Sequence, residues 1–204
     1  KNEEVLLYQN KTRRRQLMEL PCNFVEIPFS GKIIKEFSNR KRAMEILIEN
    51  NSSVVLNISD EYFDSGERFQ SIFGKSIQPN SKWLTFIANK SPGLICGVTG
   101  GVKYILEGTD INLYLGFTCP YVGYDKCSVE LSRAVFNAKR GYDQASELRT
   151  KSCCLDDFSA TAVMTDAKYC PSTRIIFSIQ QTSRGESRDT TKFIGVVPFR
   201  INII

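Results

Sequence analysis

Short runs in which apolar and polar residues alternate with a period of two recur along this chain, and turn-forming residues separate them. Successive side chains of a strand point to opposite faces, so each run can bury one face and wet the other. Met44, Ile46 and Ile48 alternate with Glu45, Leu47 and Glu49, and Val54, Leu56 and Ile58 resume the pattern after Asn50-Asn51-Ser52-Ser53. The spacing predicts two strands joined as a hairpin. Further strands are expected over Trp83 to Ala88, Leu94 to Leu106, Ile111 to Thr118, Cys127 to Ala134, Ser159 to Met164 and Arg174 to Gln180. Ser91-Pro92-Gly93 and Glu107-Gly108-Thr109-Asp110 supply turn chemistry between them. Regular strand-helix alternation is missing, which argues against a parallel α/β sheet. The pattern predicts a mainly β chain, an antiparallel β-sandwich.

Two helical segments interrupt it. At 100° per residue Phe29, Ile33, Ile34 and Phe37 share one arc with Lys32 and Lys35 opposite, and Pro28 suits a first turn, so a short amphipathic helix is expected over 29–38. Tyr142, Ala145 and Leu148, spaced by three, predict a second over 141–149. The sandwich is thus flanked by two short α-helices. Residues 1–28, with the cluster Lys11, Arg13, Arg14 and Arg15, form an N-terminal arm. Residues 29–183 form the domain, and 184–204 a C-terminal extension that begins with a polar stretch.

At 204 residues the chain can bury the core of one domain. A net charge of +5 is compatible with anionic partners. Outside the arm, however, the basic residues are dispersed among acidic ones, and no aromatic-rich basic motif of the base-stacking kind is present, so nucleic acid is not an expected partner. The chain has no histidine. That excludes Ser-His and Cys-His nucleophile pairs and removes a common metal ligand. The seven cysteines, at 22, 96, 119, 127, 153, 154 and 170, contain no CxxC spacing, so zinc is not expected either. Asp156 and Asp157 are sequence neighbours, which point apart on a strand. Gly97-x-x-Gly100-Gly101 lacks the spacing of a phosphate cradle and reads as close strand packing or a bulge. No catalytic residue, metal or cofactor is assigned, and the chain is not expected to be an enzyme.

The cysteine number and the glycosylation acceptor patterns at Asn10, Asn50, Asn51, Asn57 and Asn89 point to a secretory route. Several disulfides are then expected, with Cys153 or Cys154 bonded to a distant partner, because bond geometry disfavours a link between adjacent cysteines.

One family orders such features in the same way. The amphipathic segment Phe29 to Phe37 and the basic step Asn39-Arg40-Lys41-Arg42 lead into the strand at Met44. Then come Tyr62-Phe63-Asp64-Ser65-Gly66, Lys90 and Gly93, Gly97-Val98-Thr99-Gly100-Gly101-Val102-Lys103-Tyr104, and Leu113 to Tyr121 with its Pro120-Tyr121 loop. Asp143-Gln144 with Glu147-Leu148 and a closing strand over Ser172 to Ser183 complete the series. In this order the chain resembles the actinoporins and their relatives, secreted β-sandwiches that bind membranes and in many members open pores. The resemblance implies that Ser65, Thr99, Thr118, Pro120 and Tyr121, with Tyr124 beside them, line a phosphocholine-headgroup site. It also implies that Phe29, Ile33, Ile34, Phe37 and Lys90 meet the membrane. The expected partners are membrane lipid headgroups, with self-association on the membrane and pore formation as a further outcome there, or, in a second reading, a cell-surface glycan or a protein held by a non-lytic, lectin-like or protein-binding module on the same sandwich.

Overall fold

The alternating runs become strands that bury their apolar faces against one another. The structure is a computed structural model and describes residues 23–24, 31–69, 73–89, 96–166 and 173–182. Its strands are β1 (Asn23–Phe24), β2 (Ala43–Asn51), β3 (Leu56–Ser65), β4 (Glu67–Arg68), β5 (Ser76–Ile77), β6 (Ser81–Ala88), β7 (Val98–Leu106), β8 (Asn112–Cys119), β9 (Lys126–Ser132), β10 (Thr150–Leu155), β11 (Phe158–Asp166) and β12 (Thr173–Gln181). One sheet runs β1-β6-β2-β12-β11-β10, with β4 also on β6, and the other runs β5-β3-β7-β8-β9. The second is antiparallel throughout, whereas the first has two parallel pairs, β12 with β2 and β1 with β6.

The sheets meet through Met44, Ile46 and Ile48 of β2 and Ile175, Phe177 and Ile179 of β12 on one side. Val98, Val102, Tyr104 and Leu106 of β7 and Leu113, Leu115 and Phe117 of β8 face them. All are essentially fully buried. Each large apolar side chain removed from water contributes roughly 1.5–3 kcal/mol against the entropy of ordering the chain.

The sequence pattern misleads on how β2 and β3 connect. They do not form a hairpin: β2 pairs with β6 and β12, and β3 with β5 and β7 in the opposite sheet. Asn50-Asn51-Ser52-Ser53 is therefore an arch between the layers. Asn50 turns inward and its Nδ2 donates to the carbonyls of Val54, Ile77 and Gln78 at 2.8, 3.0 and 3.1 Å, and Ser52 Oγ donates to its Oδ1 at 2.6 Å. Period-two alternation is blind to this choice, because both partners of an arch bury one face just as both partners of a hairpin do.

The helices lie outside the sandwich. α1 (Gly31–Ser38) packs on the outer face of the first sheet, where Phe37 stacks on Phe86 with ring centroids 4.4 Å apart and lies 5.5 Å from Phe69. α2 (Lys139–Asp143) is shorter than the spacing of Tyr142, Ala145 and Leu148 predicts. Ser146 instead exchanges both backbone hydrogen bonds with Cys127, and Leu148 is exposed, so pairing to the sheet overrides the three-residue periodicity. β10, which the sequence pattern does not reveal, is a strand with no fully buried side chain.

The expected disulfide from Cys153 or Cys154 is not formed: both are free thiols, as are Cys96 and Cys127. Cys22 and Cys170 lie outside the described residues, together with Asn10, the basic cluster of the arm and the extension 184–204.

Candidate functional site

The second sheet has an outer face, away from the core, and its chemistry follows from strand register. Ser65 of β3 pairs with Thr99 of β7, Thr99 with Thr118 of β8, and Thr118 with Lys126 of β9. Directly opposed residues share a face, so these side chains stand in one row across the end of the sheet. Their neighbours Val98, Phe117 and Cys127 point the other way into the core. Thr99 Oγ1 and Thr118 Oγ1 are 2.5 Å apart and each residue is only 7% exposed. Two hydroxyls own two protons and the mutual bond uses one. The other gives the pair a donor that an anion or ester oxygen can accept from.

The next residues, Pro120-Tyr121-Val122-Gly123-Tyr124-Asp125, rise from this row as a loop. Val122 is 83% exposed, Tyr124 73% and Tyr121 40%. A projecting segment of this kind is held by its ends. Arg42, at the head of β2 in the other sheet, donates to the Tyr121 carbonyl at 2.8 Å and lies over the Tyr121 ring at 5.6 Å. Thr173 Oγ1, at the head of β12, donates to the Asp125 carboxylate. Gly97 lets the loop begin, because a Cβ there would stand 2.7 Å from the Cys119 carbonyl oxygen and 2.8 Å from Pro120 Cα.

α2 closes the other side. It approaches the sheet backbone to backbone through glycines: a Cβ on Gly116 would meet the Gly141 oxygen at 2.0 Å, and one on Gly101 the Ala138 oxygen at 2.3 Å. Of the glycines near Gly97, Gly100 packs against a neighbouring strand, where a Cβ would meet the Tyr62 carbonyl oxygen, whereas Gly101 makes room for α2. Ser128 Oγ donates to the Gly141 carbonyl at 2.5 Å, the Asp60 carboxylate accepts from the Ala138 N–H at 2.7 Å, and Arg140 binds both oxygens of Glu130 at 2.8 and 3.0 Å. So seated, α2 brings the Tyr142 ring within 6.0 Å of Tyr62. Tyr62 is the register partner of Gly101, which is two residues from Thr99 on the same face of β7. The Tyr62–Tyr142 pair therefore flanks the hydroxyl row one side-chain position away.

Of the residues singled out in the sequence, Ser65, Thr99, Thr118, Pro120 and Tyr121 converge here, with Tyr124 at the loop tip. Phe37 does not: it is fully buried on the first sheet under α1, and Ile34 is half-buried beside it. Phe29, Lys90 and the side chain of Ile33 lie outside the described residues. Sequence reasoning missed Tyr142 and Arg42. Tyr142 was read only as a helix residue, and nothing local marks Arg42, 79 positions from Tyr121, as its partner.

Burial pushes the Cys127 thiol, behind the row, up to about 11, and does the same to Cys153. Among the described residues no group of acidic or cysteine side chains is arranged to hold a metal.

Fold and site together define a two-layer β-sandwich whose outer sheet end carries a hydroxyl row between aromatic side chains. The crystal structure of lipid binding protein Nakanori at 1.5 Å shares this fold with a TM-score of 0.62 and 12% sequence identity, over 88% of this chain and 83% of that one. No family model and no curated protein matches the sequence.

Proposed function

We propose that this chain is a secreted, non-enzymatic membrane-binding protein of the actinoporin-like class that captures lipid headgroups at the Ser65–Thr99–Thr118 row. The observation that carries this reading is the buried Thr99–Thr118 hydroxyl pair, lying between Tyr62–Tyr142 and the exposed Tyr121–Tyr124 loop. A hydroxyl donor suits a phosphate oxygen. Tyrosine faces suit a quaternary ammonium, each such contact contributing roughly 0.5–2 kcal/mol. Val122 and Tyr124 offer apolar surface to the interfacial zone, where aromatic side chains with a polar tip are favoured. The lipid-binding neighbour of the same fold supports a lipid as the partner class. The absence of histidine and the raised thiol pKa values of Cys127 and Cys153 support binding rather than catalysis.

Binding is favoured over perforation. The eight residues of α1 span about 12 Å against a hydrocarbon core of roughly 30 Å, and no helix among the described residues is long and apolar enough to cross a membrane. Co-sedimentation with vesicles of phosphatidylcholine, sphingomyelin or phosphatidylserine, run beside dye release, tests the reading. Binding to a choline lipid that Tyr124→Ala weakens several-fold, with little dye released, is expected. Failure to sediment with every composition would overturn it, and glycan-array binding in that case would support the lectin-like alternative.

A further inference from the structure

Four glycosylation acceptor patterns fall on described asparagines, and the fold treats them differently. Asn50 is fully buried with its Nδ2 donating to three carbonyls, and Asn89 is 1% exposed. Asn57 Nδ2 donates to Glu107 Oε2 at 3.2 Å. Asn51 is exposed at the last position of β2, on the crest of the interlayer arch, and its amide makes no hydrogen bond among the described residues. Ser53, the hydroxyl residue of the same pattern, is exposed too and donates to Gln181 Oε1 at 2.5 Å.

The geometry points to Asn51 as an N-linked modification site. The amide nitrogen takes an oligosaccharide from a polyprenyl-diphosphate donor: a bond forms from Nδ2 to the anomeric carbon, the bond from that carbon to the diphosphate oxygen breaks, and Nδ2 loses a proton. The transfer acts on chain that has not yet folded, and folding then sorts the products. A glycan on Asn50 would remove a donor and force sugar between the layers at the arch, so chains modified there cannot close the sandwich. A glycan on Asn51 projects into solvent. It also stands clear of the candidate site, since Arg42, which touches Tyr121, precedes β2 and Asn51 ends it, about 30 Å away at roughly 3.3 Å per residue. The assignment does not rest on the lipid reading and shares with it only a secretory route, which an expression host supplies.

Overlap of the two patterns at the arch gives a clean test. Ser53→Ala removes the pattern of Asn51 and keeps that of Asn50, whereas Ser52→Ala does the reverse. The full chain is secreted from eukaryotic cells, purified as folded monomer and digested with peptide N-glycosidase in heavy-oxygen water, and the 50–53 peptide is sequenced by mass spectrometry. The expected result is conversion of Asn51 to labelled aspartate in wild type, retained in Ser52→Ala and abolished in Ser53→Ala. An unlabelled Asn51 in folded secreted protein, or label on Asn50, would overturn the assignment.

Discussion

Thr99 and Thr118 hold each other's hydroxyls at 2.5 Å across the β7–β8 pair, on the face of the sheet turned away from the core. A buried hydroxyl that loses its only partner costs roughly 1–3 kcal/mol, while replacing both by shape-matched apolar groups is nearly neutral. Thr118→Val alone should therefore destabilise the protein by about 1–2 kcal/mol in urea titration, and Thr99→Val/Thr118→Val by less than the sum of the two single changes. Choline-lipid binding should fall in all three variants. Additive stability losses would show that the pair is not coupled.

Arg42 should act on binding more than on folding. It ties the loop to the first sheet through the Tyr121 carbonyl and ring, and its guanidinium is at the surface, where such contacts contribute little to global stability. Arg42→Ala is expected to change the urea midpoint by less than about 1 kcal/mol equivalent while weakening vesicle binding several-fold. Lysine at this position can supply charge but not the flat stacking surface, so Arg42→Lys should recover only part of the loss.

The seat of α2 tolerates no added carbon. In Gly116→Ala the new Cβ would fall on the backbone of Gly141, which has no side-chain freedom to yield. Overpacking commonly costs 1–3 kcal/mol, and a backbone clash lies at or beyond the upper end. The expected outcome is loss of roughly 3 kcal/mol or more in denaturant titration, with Gly108→Ala, whose added carbon meets nothing, costing less despite its φ of +75°.

The described thiols should differ sharply in reactivity. Cys154 is exposed, whereas burial raises Cys127 and Cys153 from 9.0 to about 11. With iodoacetamide at pH 8, Cys154 should alkylate first, and Cys127 and Cys153 only on unfolding. The sign of the linked effect follows. Between about pH 9 and 11 the unfolded chain releases these protons and the folded one keeps them, so stability is unaffected below 9 and falls as pH rises through that window. Urea midpoints at pH 8 and 10.5, compared with a Cys127→Ala/Cys153→Ala variant that lacks this part of the slope, check it.

Secondary structure was largely legible in the chain because one face turned to the apolar core writes a period of two into β2, β6, β7, β8, β11 and β12, and Phe29 to Phe37 carries a helical arc that ends in α1. The hydroxyls at 65, 99 and 118 and the Pro120-Tyr121 loop could also be picked out, since their residue types survive without coordinates. Pairing could not. Alternation states which side chains are buried but not against which strand, so only the tertiary structure turns Asn50 to Ser53 into an arch, ends α2 at Asp143 by pairing Ser146 with Cys127, and sets Arg42 of one sheet on Tyr121 of the other. The row itself depends on register, because a slip of one residue between β7 and β8 would send Thr118 to the opposite face from Thr99 and leave both hydroxyls without the partner that defines the site.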